Sequence, residues 1–210
     1  MRFEFWKGRW DQKEIGFHEG KPNALLVAHA DRLHGRILAP LAGKAVDLVW
    51  LAARGHEIVG IEFVQTAIDE LFQDQPVRKH VLGGHDAFTA GGITMVRADM
   101  FDMTPAILGR FDIIYDRAAL VALEPSTRKR YVETCRALSD RTFLIAFAYD
   151  QSKSSGPPFS VDEATVRDLH AGSTVENLET RAASVSARLQ KAGIASIDET
   201  AYLIASPCGS

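Results

Sequence analysis

The sequence predicts an α/β fold with a mostly parallel central sheet, an antiparallel strand at its C-terminal edge and helices on both faces. Three observations carry this expectation. Between residues 36 and 150, strand-length apolar runs alternate with segments of helical spacing, as in successive βαβ units. The run FDIIY (111–115) is apolar throughout, as a strand covered on both faces requires. From residue 151 the chain changes character, and its last two strand-like segments have the alternation and short connection of antiparallel edge elements.

Each element has its own warrant. The first thirty-odd residues hold Phe3, Phe5, Trp6, Trp10 and Phe17 without a strand pattern, and residues 1–35 read as an aromatic N-terminal lid segment. RILAPLA (36–42) is an apolar run ending at Gly43; KAVDLVWLAARG then puts Val46, Val49, Trp50 and Ala53 at helical spacing before Gly55 stops it. HEIVGIEF (56–63) is the next strand and VQTAIDELFQDQ the next helix, completing a βαβ unit. Residues 73–91 gather glycine and proline with little periodicity and read as a surface insertion. GITMVRADMF (92–101), FDIIYDR, a helix over STRKRYVETCRAL and the strand RTFLIAFAYD (141–150) repeat the alternation. QSKSSGPPFS is a loop, VDEATVRDLHA a short helix, and TVENLETRA and SIDETAYLIAS are strands joined through SARLQKAG. Residues 1–210 are expected to form a single domain.

Composition narrows the function. With 46% hydrophobic and 24% charged residues in 210, the chain has the balance of a soluble globular domain. A net charge of −3 without a basic block offers no attraction to nucleic acid or to an anionic membrane. The two cysteines, Cys135 and Cys208, have neither disulfide-framework nor metal-knuckle spacing, and the seven histidines show no zinc-ligand pattern, so no metal is expected. The N-terminus has charges and aromatics where a signal peptide needs an apolar core, and a cytoplasmic location is expected.

Open α/β sheets bind ligands beyond the carboxyl ends of their strands. Those ends are Pro40-Leu41-Ala42-Gly43, Glu62, Asp99-Met100 and Asp116-Arg117. Glu62 falls about twenty residues after the first turn, where an acidic side chain takes the hydroxyls of an adenosine ribose; the alternative is a helix cap or solvated strand end. The first turn, LAPLAGKAVD, lacks the glycines that let a backbone approach a pyrophosphate, which disfavours dinucleotides and leaves phosphate-free adenosine ligands. Asp116 and Arg117 interrupt an apolar run, as a structural ion pair or as the floor of a site. Trp6 and Trp10, four apart, form one face of a docking helix or, with Phe17, a lid. Asp47 and Lys44 read as capping and solvated residues, Cys135 as a small buried group, and Gly156-Pro157-Pro158 as a rigid turn.

The ordered set FWKGRW, IGFHEG, APLAGKAVDLVWLAARGHEIVGIE, YDRAALVAL and AYDQSKSSGPPFSV resembles the thiopurine S-methyltransferase family of S-adenosyl-L-methionine-dependent enzymes, from residue 5 to about 165. The resemblance implies a Rossmann-like class I methyltransferase fold. It implies that Trp6, Trp10 and Phe17 close over donor and acceptor, that Leu41 contacts the donor, that Glu62 holds its ribose and that Asp99 and Met100 flank its adenine. Arg117, after Asp116, would lie where donor and acceptor meet, and Pro158 and Phe159 would form part of the acceptor wall. Ala42 departs from the cysteine of many members. The implied reaction transfers a methyl group to the sulfur or selenium of a small thiol, releasing S-adenosyl-L-homocysteine. Arg117 would favour the thiolate, with Asp116 orienting Arg117 or accepting a proton through water. Two alternatives stay open: methylation of halide or thiocyanate, and a non-catalytic adenosine-ligand binding module. The expected partner is a small molecule, and the expected assembly a monomer.

Overall fold

The computed structural model describes residues 3–14 and 19–207. Its sheet is built from β1 (Arg36–Ala39), β2 (Glu57–Glu62), β3 (Arg78–Leu82), β4 (His85–Ala90), β5 (Ile93–Arg97), β6 (Ile113–Arg117), β7 (Arg141–Ala148), β8 (Thr174–Ala183) and β9 (Ile197–Ala205). In space the order is β3-β4-β5-β2-β1-β6-β7-β9-β8. The five strands from β5 to β7 are parallel. β9 pairs antiparallel with β7 and carries β8 on its outer side. From β1 the chain moves outward to β2 and β5, then returns to β6 on the other side of β1. The strand order therefore reverses between β1 and β6, the place beyond whose carboxyl ends open α/β sheets bind ligands.

Helices α1 (Phe3–Asp11), α2 (Ala24–Ala28), α3 (Val46–Ala52), α4 (Gln65–Leu71), α5 (Pro105–Leu108), α6 (Pro125–Leu138), α7 (Glu163–Leu169) and α8 (Ala187–Lys191) complete the described elements. Successive side chains of a strand leave on opposite faces, so the sheet supports two cores. Leu38, Val59, Ile114 and Leu144 pack with Tyr131, Val132, Cys135 and Leu138 of α6. Ile37, Ile58, Ile113, Tyr115 and Phe143 face the other way, onto Leu25 and Leu26 of α2 and Leu48 and Leu51 of α3.

Three local readings of the sequence change. Leu25, Leu26 and Leu33 belong to the second core, so within residues 1–35 only part lies at the rim. The buried face of α3 is Asp47, Leu48 and Leu51, whereas Val49 is exposed and Trp50 is half-buried under Arg54, whose guanidinium stacks 3.4 Å from the ring centroid. Residues 73–91 contain the β3-β4 hairpin. Gly83 and Gly84, both at positive φ, make its two-residue turn, and Gly91 and Gly92 make the next one into β5. Arg78 and Lys79 charge the outer strand and blunt a free edge.

Candidate active site

The backbone is strained at the point where the strand order reverses. Leu41, after β1, has φ +47°, and Ala118, after β6, has φ +66°. A side chain in this left-handed region costs on the order of 1–3 kcal/mol and persists where surrounding contacts hold it. On β1 the next turn is fastened by Glu62, at the end of the adjacent β2. Its Oε2 accepts the Gly43 N–H at 3.0 Å and its Oε1 the Val64 N–H at 2.8 Å. Burial to 6% exposure pushes the Glu62 carboxyl up to about 7, against the lowering effect of these amides. Each oxygen keeps a further lone pair, which suits the two hydroxyls of a ribose.

Trp10 lies on this corner. It is 4% exposed, packs with Val64 and Ala67, and its ring would sit 3.4 Å from a Cβ added to Gly43. Trp10 thus covers both residues whose amides hold Glu62. Trp6 joins the same cluster with Phe63, so α1 docks on this corner through both indoles. Lys44 Nζ stands 6.0 Å from the Trp10 ring and pairs with Glu70 at 2.6 Å, making Lys44 a brace rather than a solvated residue. Beyond β5, Asp99 accepts the Phe101 N–H at 3.0 Å and starts a short 3₁₀ turn that buries Met100 in the first core.

Asp116 and Arg117 divide between the faces of β6. Asp116 accepts from the Tyr131 hydroxyl at 2.7 Å and the Leu120 N–H at 3.1 Å, and burial raises its carboxyl to about 6. Arg117 pairs with Glu19 at 2.6 Å. The expectation that Asp116 orients Arg117 directly is corrected: strand alternation sends their side chains apart, and each carboxylate or guanidinium has a different partner. The reading of Asp47 as a solvated cap also fails. It is buried, accepting from the Asn23 N–H and the Tyr115 hydroxyl, both at 2.8 Å.

The loop carrying Pro158 and Phe159 closes the same end of the sheet. The Phe159 N–H donates to the Val121 carbonyl at 2.6 Å. Arg188 of α8 donates to the carbonyls of Pro157 and Gly156 at 2.6 and 2.9 Å, and the Tyr149 hydroxyl donates to that of Pro158 at 2.5 Å. Three consecutive carbonyls are therefore held from outside the loop. The Arg128 guanidinium lies 5.8 Å from the Phe159 ring centroid. Phe17 lies outside the described residues.

The structure thus brings Trp10, Glu62 and the Leu41 turn into one corner, with Arg117 at the end of β6, the strand next to β1. Sequence reasoning missed Glu19, Asn23, Tyr131, Glu199 and Arg188. Asn23 was legible as a helix cap ahead of ALLVA, since it accepts from the N–H groups of Leu25 and Leu26. Among the described residues no cluster of three or more His, Cys, Asp or Glu suits a metal ion, and no helix is long and apolar enough to cross a membrane.

Comparison with known proteins adds independent findings. Residues 1–206 match the family model described as thiopurine S-methyltransferase (TPMT). The chain is 42% identical to the thiopurine S-methyltransferase of Xanthobacter autotrophicus over 83% of this chain and 86% of that one. It is 36% identical to the Pseudomonas aeruginosa enzyme of the same name over 97% and 99%. Among solved structures it is similar to magnesium protoporphyrin IX methyltransferase of Synechocystis PCC 6803 with bound SAM. The TM-score is 0.61 at 14% identity, covering 98% of this chain and 92% of that one. A Burkholderia thailandensis 1,6-didemethyltoxoflavin-N1-methyltransferase with bound S-adenosylhomocysteine gives 0.54 at 17% identity, covering 88% and 76%. These likenesses establish the class I methyltransferase fold.

Proposed function

The chain belongs to the thiopurine S-methyltransferase family, and from that premise we propose how its rim carries out S-adenosyl-L-methionine-dependent methylation of a small sulfur or selenium compound. The observation that carries the reading is the corner where Glu62 ties the Gly43 and Val64 amides together beneath Trp10. An adenosyl ligand without phosphates needs an acidic group for its ribose and no glycine-rich cradle, and this corner offers that combination. When bound, the donor supplies an electrophilic methyl group on a sulfonium sulfur.

The chain's own groups have distinct tasks. Glu62 accepts the ribose hydroxyls, Leu41 lines the donor from the strained turn, and Asp99 and Met100 border the adenine. Trp6 and Trp10 withhold water from the rim and offer their faces to a cation. Arg117 meets the acceptor and stabilises a thiolate there. Asp116 acts as a positioning residue: through Leu120 and Tyr131 it holds the turn in which Arg117 and the strained Ala118 sit. Pro158 and Phe159 form the acceptor wall, and Phe17 is assigned to the acceptor. Holding the acceptor in line accounts for much of the acceleration such a site delivers.

Residues 1–210 act as one methyltransferase domain, with α1 contributing the cover and the β3-β4 hairpin extending the sheet. The protein works in the cytoplasm as a monomer on small molecules, without nucleic acid or membrane. A mass-spectrometric screen of thiols, selenols and halides with isotopically labelled donor tests the activity. Labelled methyl on a thiol or selenol is the expected result; labelled methyl halide alone, or donor binding with no product, refutes it.

A further inference from the structure

The Arg117 face of β6 carries a charge set that methyl transfer alone does not require. Arg117, with its side chain 8% exposed, pairs with Glu19. Asn23, 2% exposed, is tied on two sides: its N–H donates to Asp47 Oδ1 at 2.8 Å and its Nδ2 to Glu199 Oε1 at 3.0 Å. The Tyr115 hydroxyl holds the other oxygen of Asp47. Glu199 faces Arg181 across the β8-β9 pairing, but that guanidinium is engaged by Glu179 at 2.6 Å. Burial pushes the Glu199 carboxyl up and its bond from Asn23 opposes this, while Glu19 raises and Arg117 lowers it, so these groups share one field. Among the described residues, Arg117 therefore stands against Glu19, Asp47 and Glu199, an excess of negative charge on a largely buried wall.

We propose that Glu19 is a specificity-determining residue: it shares the Arg117 charge in front of Asp47 and Glu199, so that beside the reacting sulfur the acceptor end takes neutral or cationic substituents and rejects anionic ones. The proposal rests on the placing of the acceptor at Arg117. Without Glu19, the guanidinium would attract a carboxylate-bearing acceptor. With it, a second anion arrives beside carboxylates that the low-dielectric wall screens poorly. Discrimination of this kind comes from a repulsive element as much as from an attractive one.

The test uses thiophenols carrying carboxymethyl, hydroxymethyl or aminomethyl groups at the para position. Their kcat/KM values are measured on the wild-type chain and on Glu19→Gln, an exposed position where the amide keeps the fold. Calorimetric binding of the three corresponding methyl thioethers gives a second readout without turnover. In the wild type the carboxymethyl compound is expected to fall at least about ten-fold below the hydroxymethyl compound in both assays, and Glu19→Gln to close most of that gap. A smaller wild-type ratio, or a ratio unmoved in the variant, overturns the proposal. Absence of methylation with charge-ordered thioether binding would refute the activity and leave the selection standing; absence of ordered binding as well would refute both.

Discussion

Replacing Glu62 with Gln keeps the side chain's shape and removes its charge, which separates the cost of burying this carboxylate from its use. The Glu62 carboxyl is lifted from 4.5 to about 7, and keeping it ionised costs the fold about 3 kcal/mol relative to the unfolded chain. Because the folded value is the higher one, the proton-linked stability is fully present below pH 4.5 and is lost as pH climbs through about 7. The glutamine escapes that cost above pH 7, but its NH₂ group faces one of the two amide donors of Gly43 and Val64. That leaves a buried N–H without an acceptor at either pH, whereas the hydroxyl oxygen of the protonated carboxyl can still accept, and costs about 1–3 kcal/mol. The two effects nearly cancel at pH 8, so the variant should melt close to wild type there and well below it at pH 5.

Donor binding should behave differently. Loss of the ribose contacts is expected to weaken affinity for S-adenosyl-L-homocysteine by about 1–3 kcal/mol, roughly 5- to 150-fold. In the wild type the ionised fraction of Glu62 rises from about 10% at pH 6 to about 90% at pH 8. Affinity should therefore increase up to about ten-fold over that interval, and Glu62→Gln should lose this slope. Isothermal calorimetry at both pH values measures it. Wild-type affinity in the variant, or an identical pH slope in both proteins, would remove Glu62 from the ribose site.

Arg117→Ala should lower kcat for a thiol at least about ten-fold while leaving donor affinity nearly unchanged in equilibrium binding; normal turnover would make Arg117 structural. Tyr131→Phe removes a donor from buried Asp116, whose carboxyl burial has raised from 3.8 to about 6, and should cost about 1–3 kcal/mol at pH 8. Since protonated Asp116 needs that bond less, the loss should shrink at pH 4.5 in urea denaturation, and a pH-independent loss would refute this account. Arg188→Ala frees the carbonyls of Gly156 and Pro157 and should raise KM for the acceptor several-fold with unchanged donor affinity; an equal effect on both ligands would detach Arg188 from the acceptor wall.

The parallel core was legible because long apolar runs and helical spacing are strong signals, and the strand ends they define include Glu62, Asp99 and Arg117. The hairpin over residues 78–90 was hidden by reading its glycines as disorder of pattern. Gly-Gly at 83–84 and again at 91–92 is instead the chemistry of two-residue turns, where both positions take positive φ. The α3 face was misread because Asp47 was excluded from the interior by its charge, yet Tyr115 and Asn23, distant in sequence, satisfy it there. No local pattern announces a partner 68 residues away. Leu41 and Ala118 were equally silent, since neither residue type suggests a left-handed backbone. Conflict between residue and conformation at two strand ends is itself a mark of a site that folding alone does not explain.

The adjacent Asp116 and Arg117 owe their different roles to the period of the strand. β6 pairs Ile114 with Thr142 and Arg117 with Ile145 in parallel register, so alternate side chains reach α6 or the Asn23 face. A slip by one residue would drive Arg117 toward Tyr131 and turn Asp116 onto a face already crowded with Asp47, Glu199 and Glu19. The register is pinned from both sides, by the Tyr115 bond to Asp47 on one face and the Asp116 bond to Tyr131 on the other. An interrupted apolar strand is thus tolerated because each polar residue closes a different contact: Asp116 secures the turn from within the core, and Arg117 pairs with Glu19 on the opposite face.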